Sequence, residues 1–230
     1  MKLNLTFLII LFFLIVASRF VPNWVGVKNE PQSVVIGGIV PHHLYVRDII
    51  GDFFTNLKSG AVDNIIILGP NHLEIGDSKI TYYPDFDDQS LTALIPYVSN
   101  NFPTAKIIPI VLKRELSLSE CRELAIELSK ISGHNLLITS IDFSHYLSSD
   151  KAEKNDIESL AMIRNKDYES ILKLNSDFMD SPPSLVTSLI YFESKGMTGI
   201  RILDNANSGR RGNPFAPTTS YFSAIVYAQN

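Results

Sequence analysis

The sequence predicts an α/β domain: a central, mostly parallel sheet flanked by helices. Three observations predict it. Short β-branched apolar runs recur between turn residues, longer amphipathic stretches separate them, and the runs are apolar on both faces, as fully buried strands require. Hydrophobic residues make up 45% of the 230-residue chain and charged residues 19%, ample material for one core.

In chain order, the first element lies outside this domain. Lys2 precedes an apolar run from Phe7 to Ala17, and Ser18, Arg19 and then Pro22 follow. This reads as a signal anchor or signal peptide over residues 1–22, with a polar linker at 23–32. Leu3–Val21 at ~1.5 Å per residue reaches roughly 28 Å, enough to cross the hydrocarbon layer, so an N-terminal hydrophobic helix anchoring the chain to a membrane is expected. The domain at 33–230 is then extracytoplasmic, or secreted if the segment is cleaved. Only Val16-Ala17-Ser18 approaches a small-x-small cleavage site, which favours the anchor.

The predicted strands are Ser33–Val40, Asn64–Leu68, Lys106–Leu112 and Asn135–Ile141, with Gly199–Leu203 and Ser220–Tyr227 closing the chain. Helices are expected at Leu44–Leu57, Asp88–Asn100 and Ser117–Ile131. Ser117 and Glu120 in the last have capping-box spacing. Ser149–Asn165 and Tyr168–Leu174 follow as helices. A further helix opens on Ser181-Pro182-Pro183, with Ser as N-cap and Pro at the first position, and stops at Gly196.

Composition excludes several functions. Lys and Arg total 20 against 24 Asp and Glu, a net charge of −4, so no general basic field invites nucleic acid. One cysteine excludes an internal disulfide and every Cys-pair zinc motif. Cys121 reads as an inert helix residue. Ser144-His145 are chain neighbours, poorly disposed as nucleophile and base, and no G-x-S-x-G elbow is present, so a hydrolase is disfavoured.

The histidines carry the chemistry. Three predicted strands each run into one: Pro41-His42-His43, Gly69-Pro70-Asn71-His72 and Asp142-Phe143-Ser144-His145. Ligands of open α/β sheets bind outside the carboxyl ends of the strands, so parallel neighbours would bring His42, His72 and His145 to one edge. Imidazole is both the commonest metal ligand and the usual acid–base group near neutrality. Two imidazoles with a carboxylate and open positions suit non-haem iron. His43 is either a further site group or a helix-start residue, Asn71 is a ligand-binding candidate, and His134, before its strand, is a surface residue.

Val40-Pro41-His42-His43-Leu44-Tyr45, Ile67-Leu68-Gly69-Pro70-Asn71-His72 and Ser140-Ile141-Asp142-Phe143-Ser144-His145-Tyr146 resemble the P-H-A-G-Y, L-G-P-x-H and S-S-D-F-S-H motifs of the Memo-like family, called AmmeMemoRadiSam system protein B in prokaryotes. Ile95-Pro96-Tyr97, Ile108-Pro109-Ile110-Val111 and Asn207-Ser208-Gly209 add matches, and Asp156 falls where the family has an Asp. The resemblance implies a fold like that of class III extradiol ring-cleavage dioxygenases. It implies iron(II) or copper on His42 and His72, with His145 as acid–base imidazole and Asp142 orienting it. It also implies oxidoreductase chemistry on a small molecule, or binding of a peptide.

Three stretches depart from the family. The third ligand, expected just after N-S-G, meets Arg210 and Arg211, and a guanidinium offers no lone pair. Either Arg210 points away, or Asp204 or Asp142 completes the site, or the metal is lost. If both arginines face the site, it becomes one for a carboxylate, phosphate or acidic peptide, the alternative of a non-catalytic binding module. The E-H-S-I-E segment becomes Asp88-Gln89-Ser90-Leu91-Thr92, and the C-G-x-x-P stretch becomes Met179-Asp180-Ser181-Pro182-Pro183.

Overall fold

The computed structural model describes residues 33–57, 60–82, 87–212 and 217–229. The expected anchor at 1–22 and linker at 23–32 lie outside the described residues. Among the described residues, no helix is long and apolar enough to cross a membrane.

Seven strands form one mixed sheet in the order β3-β4-β2-β5-β1-β7-β6. β1 (Ser33–Val40), β2 (Asn64–Pro70), β4 (Lys106–Leu112) and β5 (Asn135–Ser140) are its parallel centre. β3 (Ile80–Tyr82) lies antiparallel on one flank. β7 (Ser220–Gln229) and β6 (Met197–Asn207) lie antiparallel on the other. β3 escaped the sequence reading because three residues set no period. β6 is longer than expected because only its middle is apolar.

Alternate residues of the central strands feed opposite layers. Ile65 and Ile67 of β2 join one apolar cluster, and Ile66 and Leu68 join the other. All four are fully buried, each contributing about 1.5–3 kcal/mol over an exposed position. The first face is covered by α1 (Arg47–Asn56), α2 (Gln89–Thr92) and α3 (Ile95–Asn101). The second is covered by α4 (Leu118–Ser129), α5 (Ser149–Asn165), α6 (Tyr168–Leu172) and α7 (Pro182–Ser194).

Local signals set the helix ends. Ser117 caps α4 in a complete capping box with Glu120. Ser181 accepts from the Ser184 N–H, with Pro182 opening α7. Two expected helices are interrupted. Leu44–Val46 is a short 3-10 turn before α1, and the Asp88–Asn100 stretch breaks into α2 and α3 ahead of Pro96. Cys121 is buried in α4.

Asp156 of α5 is a buried hub. It accepts from the Ser220 and Ser144 hydroxyls at 2.7 and 3.2 Å and from the Asn205 amide at 3.2 Å, tying α5 to β7, β6 and the loop after β5. Burial pushes its carboxyl up to about 6, against the opposing effect of those hydrogen bonds. The folded state therefore holds this proton more tightly than the unfolded chain. Stability on this account is highest below about pH 4 and declines until about pH 6, by up to about 3 kcal/mol. In Asp156→Asn, urea midpoints measured from pH 4 to 7 should lose that decline.

Candidate functional site

β2, β5 and β1 are consecutive in the sheet and parallel, so their carboxyl ends share one edge. The loops leaving them deliver His72, then Asp142 and His145, then His42. The Ile141 N–H reaches Val40 O at 3.1 Å, extending the β1–β5 ladder to the doorstep of the site. The three strand-end histidines line one cleft of about 530 Å³, with His43 and Asp142 also on its wall.

A fourth segment completes the cluster. Phe143 bridges to Met179, and the Asp180 N–H donates to Asp142 O at 3.1 Å. The Asp142 N–H in turn donates to Asp180 Oδ2 at 3.1 Å. This pairing sets Asp180, whose side chain is 9% exposed, between the imidazoles: Oδ2 lies 3.3 Å from His42 Nε2 and 3.9 Å from His72 Nε2. The two rings meet edge to face with centroids 5.2 Å apart.

The far side of each ring fixes its tautomer. His72 Nδ1 faces Asp88 Oδ1 at 3.0 Å, and its backbone N–H donates to Asp88 Oδ2 at 2.8 Å. Burial would raise the Asp88 carboxyl, but hydrogen bonds from His72 and Ser90 hold it down at about 2, so it is an acceptor and Nδ1 carries the hydrogen. For His42, the Ser140 hydroxyl donates to Ser90 O, leaving its oxygen to accept from Nδ1–H at 3.2 Å. Both Nε2 lone pairs are thereby turned toward Asp180.

Two imidazole lone pairs facing a carboxylate repel unless a proton or cation sits among them. Ligand atoms about 2.1 Å from one tetrahedral ion lie about 3.4 Å apart, close to the spacings here. Asp180 Oδ1 is buried and has no hydrogen-bond partner among the described residues. The Asp180 carboxyl is pushed up to about 7, first by burial and then by the charge of Asp142. Burial lowers the His42 imidazole. For His72, burial is outweighed by the Asp88 hydrogen bond and the charges of Asp180 and Asp142, and the imidazole is raised. The donor set His42, His72 and Asp180, with open positions on the cleft side, fits a first-row metal ion such as iron(II) or copper.

Asp88 therefore holds His72 in the orientation a ligand needs without facing the cleft itself. Removing such an orienting carboxylate should cost 10- to 100-fold in metal affinity. Asp88→Ala should show this by competitive chelator titration, with the far-ultraviolet circular dichroism of the folded protein retained.

Three expected site residues sit otherwise than the sequence reading placed them. Asn71 is a correction: its amide closes its own loop, donating to Ile75 O at 2.8 Å and accepting from the Ile75 N–H at 2.9 Å. Arg210 is a second correction, turned outward to pair with Glu153 of α5. Arg211 pairs with Asp48 of α1. No lysine or arginine is among the described residues lining the cleft, so an anion site has lost the cations that were to make it. Asp204 is the third correction, exposed on β6 in the field of Arg211, Asp48 and Asp52 rather than near the histidines. His43 lines the cleft, with Nδ1 2.6 Å from the Tyr221 hydroxyl. His134 is exposed, as expected, with Nδ1 on Ala61 O.

Asp180, Asp88 and Ser140 were missed. Each sits in a stretch already quoted, two of them in segments that depart from the family motifs. The signal for Asp180 was an acid standing inside a stretch, Met179-Asp180-Ser181-Pro182-Pro183, that departs from the family's C-G-x-x-P.

The family's sequence model, described as Memo-like protein, matches residues 78–225. A MEMO1 family protein of Caldivirga maquilingensis is 24% identical over 242 residues, covering 86% of each chain. One from Pyrobaculum arsenaticum is 24% identical over 235 residues, covering 84% of this chain and 83% of the relative. Another from Thermoplasma acidophilum is 20% identical over 236 residues, covering 86% and 88%. Motif order, the sequence match over most of the domain and full-length relatives agree, and the chain belongs to the Memo-like protein family.

Proposed function

We propose that this domain is a metal-dependent, dioxygenase-like oxidoreductase acting on a small molecule or peptide, on a fold of the class III extradiol ring-cleavage kind. One observation supports it above the rest: two oriented imidazole lone pairs and a buried carboxylate converge on a single point at the floor of an open cleft. His42, His72 and Asp180 hold iron(II) or copper, which when bound supplies oxygen activation and electron transfer. His145, on the same wall, accepts and returns the substrate proton, with Asp142 stabilising the imidazolium that results. Leu73 and Tyr146, both exposed at the cleft mouth, cover the apolar part of the substrate. The apolar run Phe7–Ala17 supports export of the domain on a membrane anchor, which membrane fractionation with a carbonate wash would test.

The central test is metal content. Full-length protein, purified and reconstituted without oxygen, should retain about one equivalent of iron or copper per chain. His42→Ala should abolish it. Protein that stays metal-free after anaerobic reconstitution overturns the proposal.

A further inference from the structure

The floor of the cleft contains more donors than one ion uses. Besides His42, His72 and Asp180, a second group of ligand atoms, from Asp142, His145 and Asp180, lies within 4.8 Å of one another. Asp180 belongs to both groups. Its Oδ2 serves the first, facing His42 and His72, while Oδ1 is buried without a hydrogen-bond partner among the described residues. His145 Nδ1 is likewise buried and unpartnered among the described residues. Two buried, unpartnered ligand atoms on two side chains of one cluster point to a ligand between them.

We infer that Asp142, His145 and Asp180 form a second subsite for a divalent cation, with the Asp180 carboxylate bridging it to the first. The inference rests on the metal reading above. A carboxylate that gives one oxygen to each ion holds them at the roughly 3.5–4 Å separation of two-metal sites. Donor chemistry sets the preference. Two carboxylates and one imidazole favour a harder divalent ion, such as manganese(II) or iron(II), over copper(I). Charge sets the order of filling. Asp142 and Asp180 together balance one dication, so the second ion enters only with a hydroxide or an anionic ligand alongside it, and binds more weakly. Its arrival also engages the imidazole that otherwise carries the substrate proton. The one-ion form is then the active one, and excess divalent cation inhibits.

Equilibrium dialysis of the full-length protein against manganese(II) tests this, with low-temperature electron paramagnetic resonance on the loaded samples. Two ions per chain are expected, the second at higher free concentration, together with a spectrum showing exchange coupling between neighbouring ions. Asp142→Asn and His145→Gln, each checked for an unchanged circular dichroism spectrum, should each reduce the count to one and restore the isolated-ion hyperfine pattern. Two ions unaffected by either variant, or two without coupling, overturn the inference, as does a wild-type count of one or none. The iron and copper content of the preceding section reports separately on the first site. One tight iron with no second manganese sinks this inference alone.

Discussion

Asp180→Asn is expected to abolish tight metal binding while leaving the domain folded. The substitution keeps the side chain's shape and removes its negative charge, the one anionic donor of the His42, His72 and Asp180 set. Loss of a charged ligand from a three-donor site should weaken affinity by on the order of 1,000-fold, about 4 kcal/mol. The metal-free variant should also outlast metal-free wild type in urea at pH 8. There the wild-type carboxylate is buried beside Asp142 and unpartnered at Oδ1, a cost the amide avoids. The opposite signs separate the two roles: a residue that merely supported the fold would lose stability and metal together. Arg210→Ala serves as control. Its partner is Glu153, so metal affinity should stay within about twofold, as expected for an exposed ion pair removed from the cluster. A marked rise in affinity in that variant would return Arg210 to the site.

The second large effect is on the fold. Gly37→Ala should cost more than about 3 kcal/mol, enough to leave the protein insoluble or largely unfolded at 37 °C. Gly37 lies at the irregularity in β1 with φ +148°, a backbone region that side chains rarely enter. An added Cβ there would stand 2.0 Å from Leu137 O of β5 and 2.8 Å from the Phe192 ring. The strand that presents His42 is thus squeezed between a neighbouring strand and α7, with no flexible neighbour to yield. Gly51 supplies the contrast. It lies inside α1 with nothing within 4 Å of an added Cβ, so Gly51→Ala should stabilise by about 0.5–1 kcal/mol through helix propensity. Urea midpoints of the two variants should move in opposite directions.

How much of the site could be read from the sequence depended on distance along the chain. His42, His72, Asp142 and His145 each follow an apolar strand directly, so the strand-end rule for parallel sheets gathers them without coordinates. Asp180 follows no strand. It reaches the site through the Phe143–Met179 bridge, a bond from its own N–H to Asp142 O and one from the Asp142 N–H to its carboxylate, pairings that leave no periodic trace. Arg210 shows the converse. Its place beside the Asn207-Ser208-Gly209 turn put it near the cleft on paper, but the Asn207 carboxamide accepts its backbone N–H and the guanidinium swings to Glu153.

The sequence by itself determined the alternation of buried strands and amphipathic helices, the caps of α4 and α7, and the family. It did so because local propensity, period and motif order are written in neighbouring residues. The tertiary structure decided which carboxylate meets the two imidazoles and which ring nitrogens are left bare to receive a cation. Those outcomes rest on contacts between residues from sixteen to about a hundred and forty positions apart, where hydrogen-bond geometry rather than pattern selects the partner.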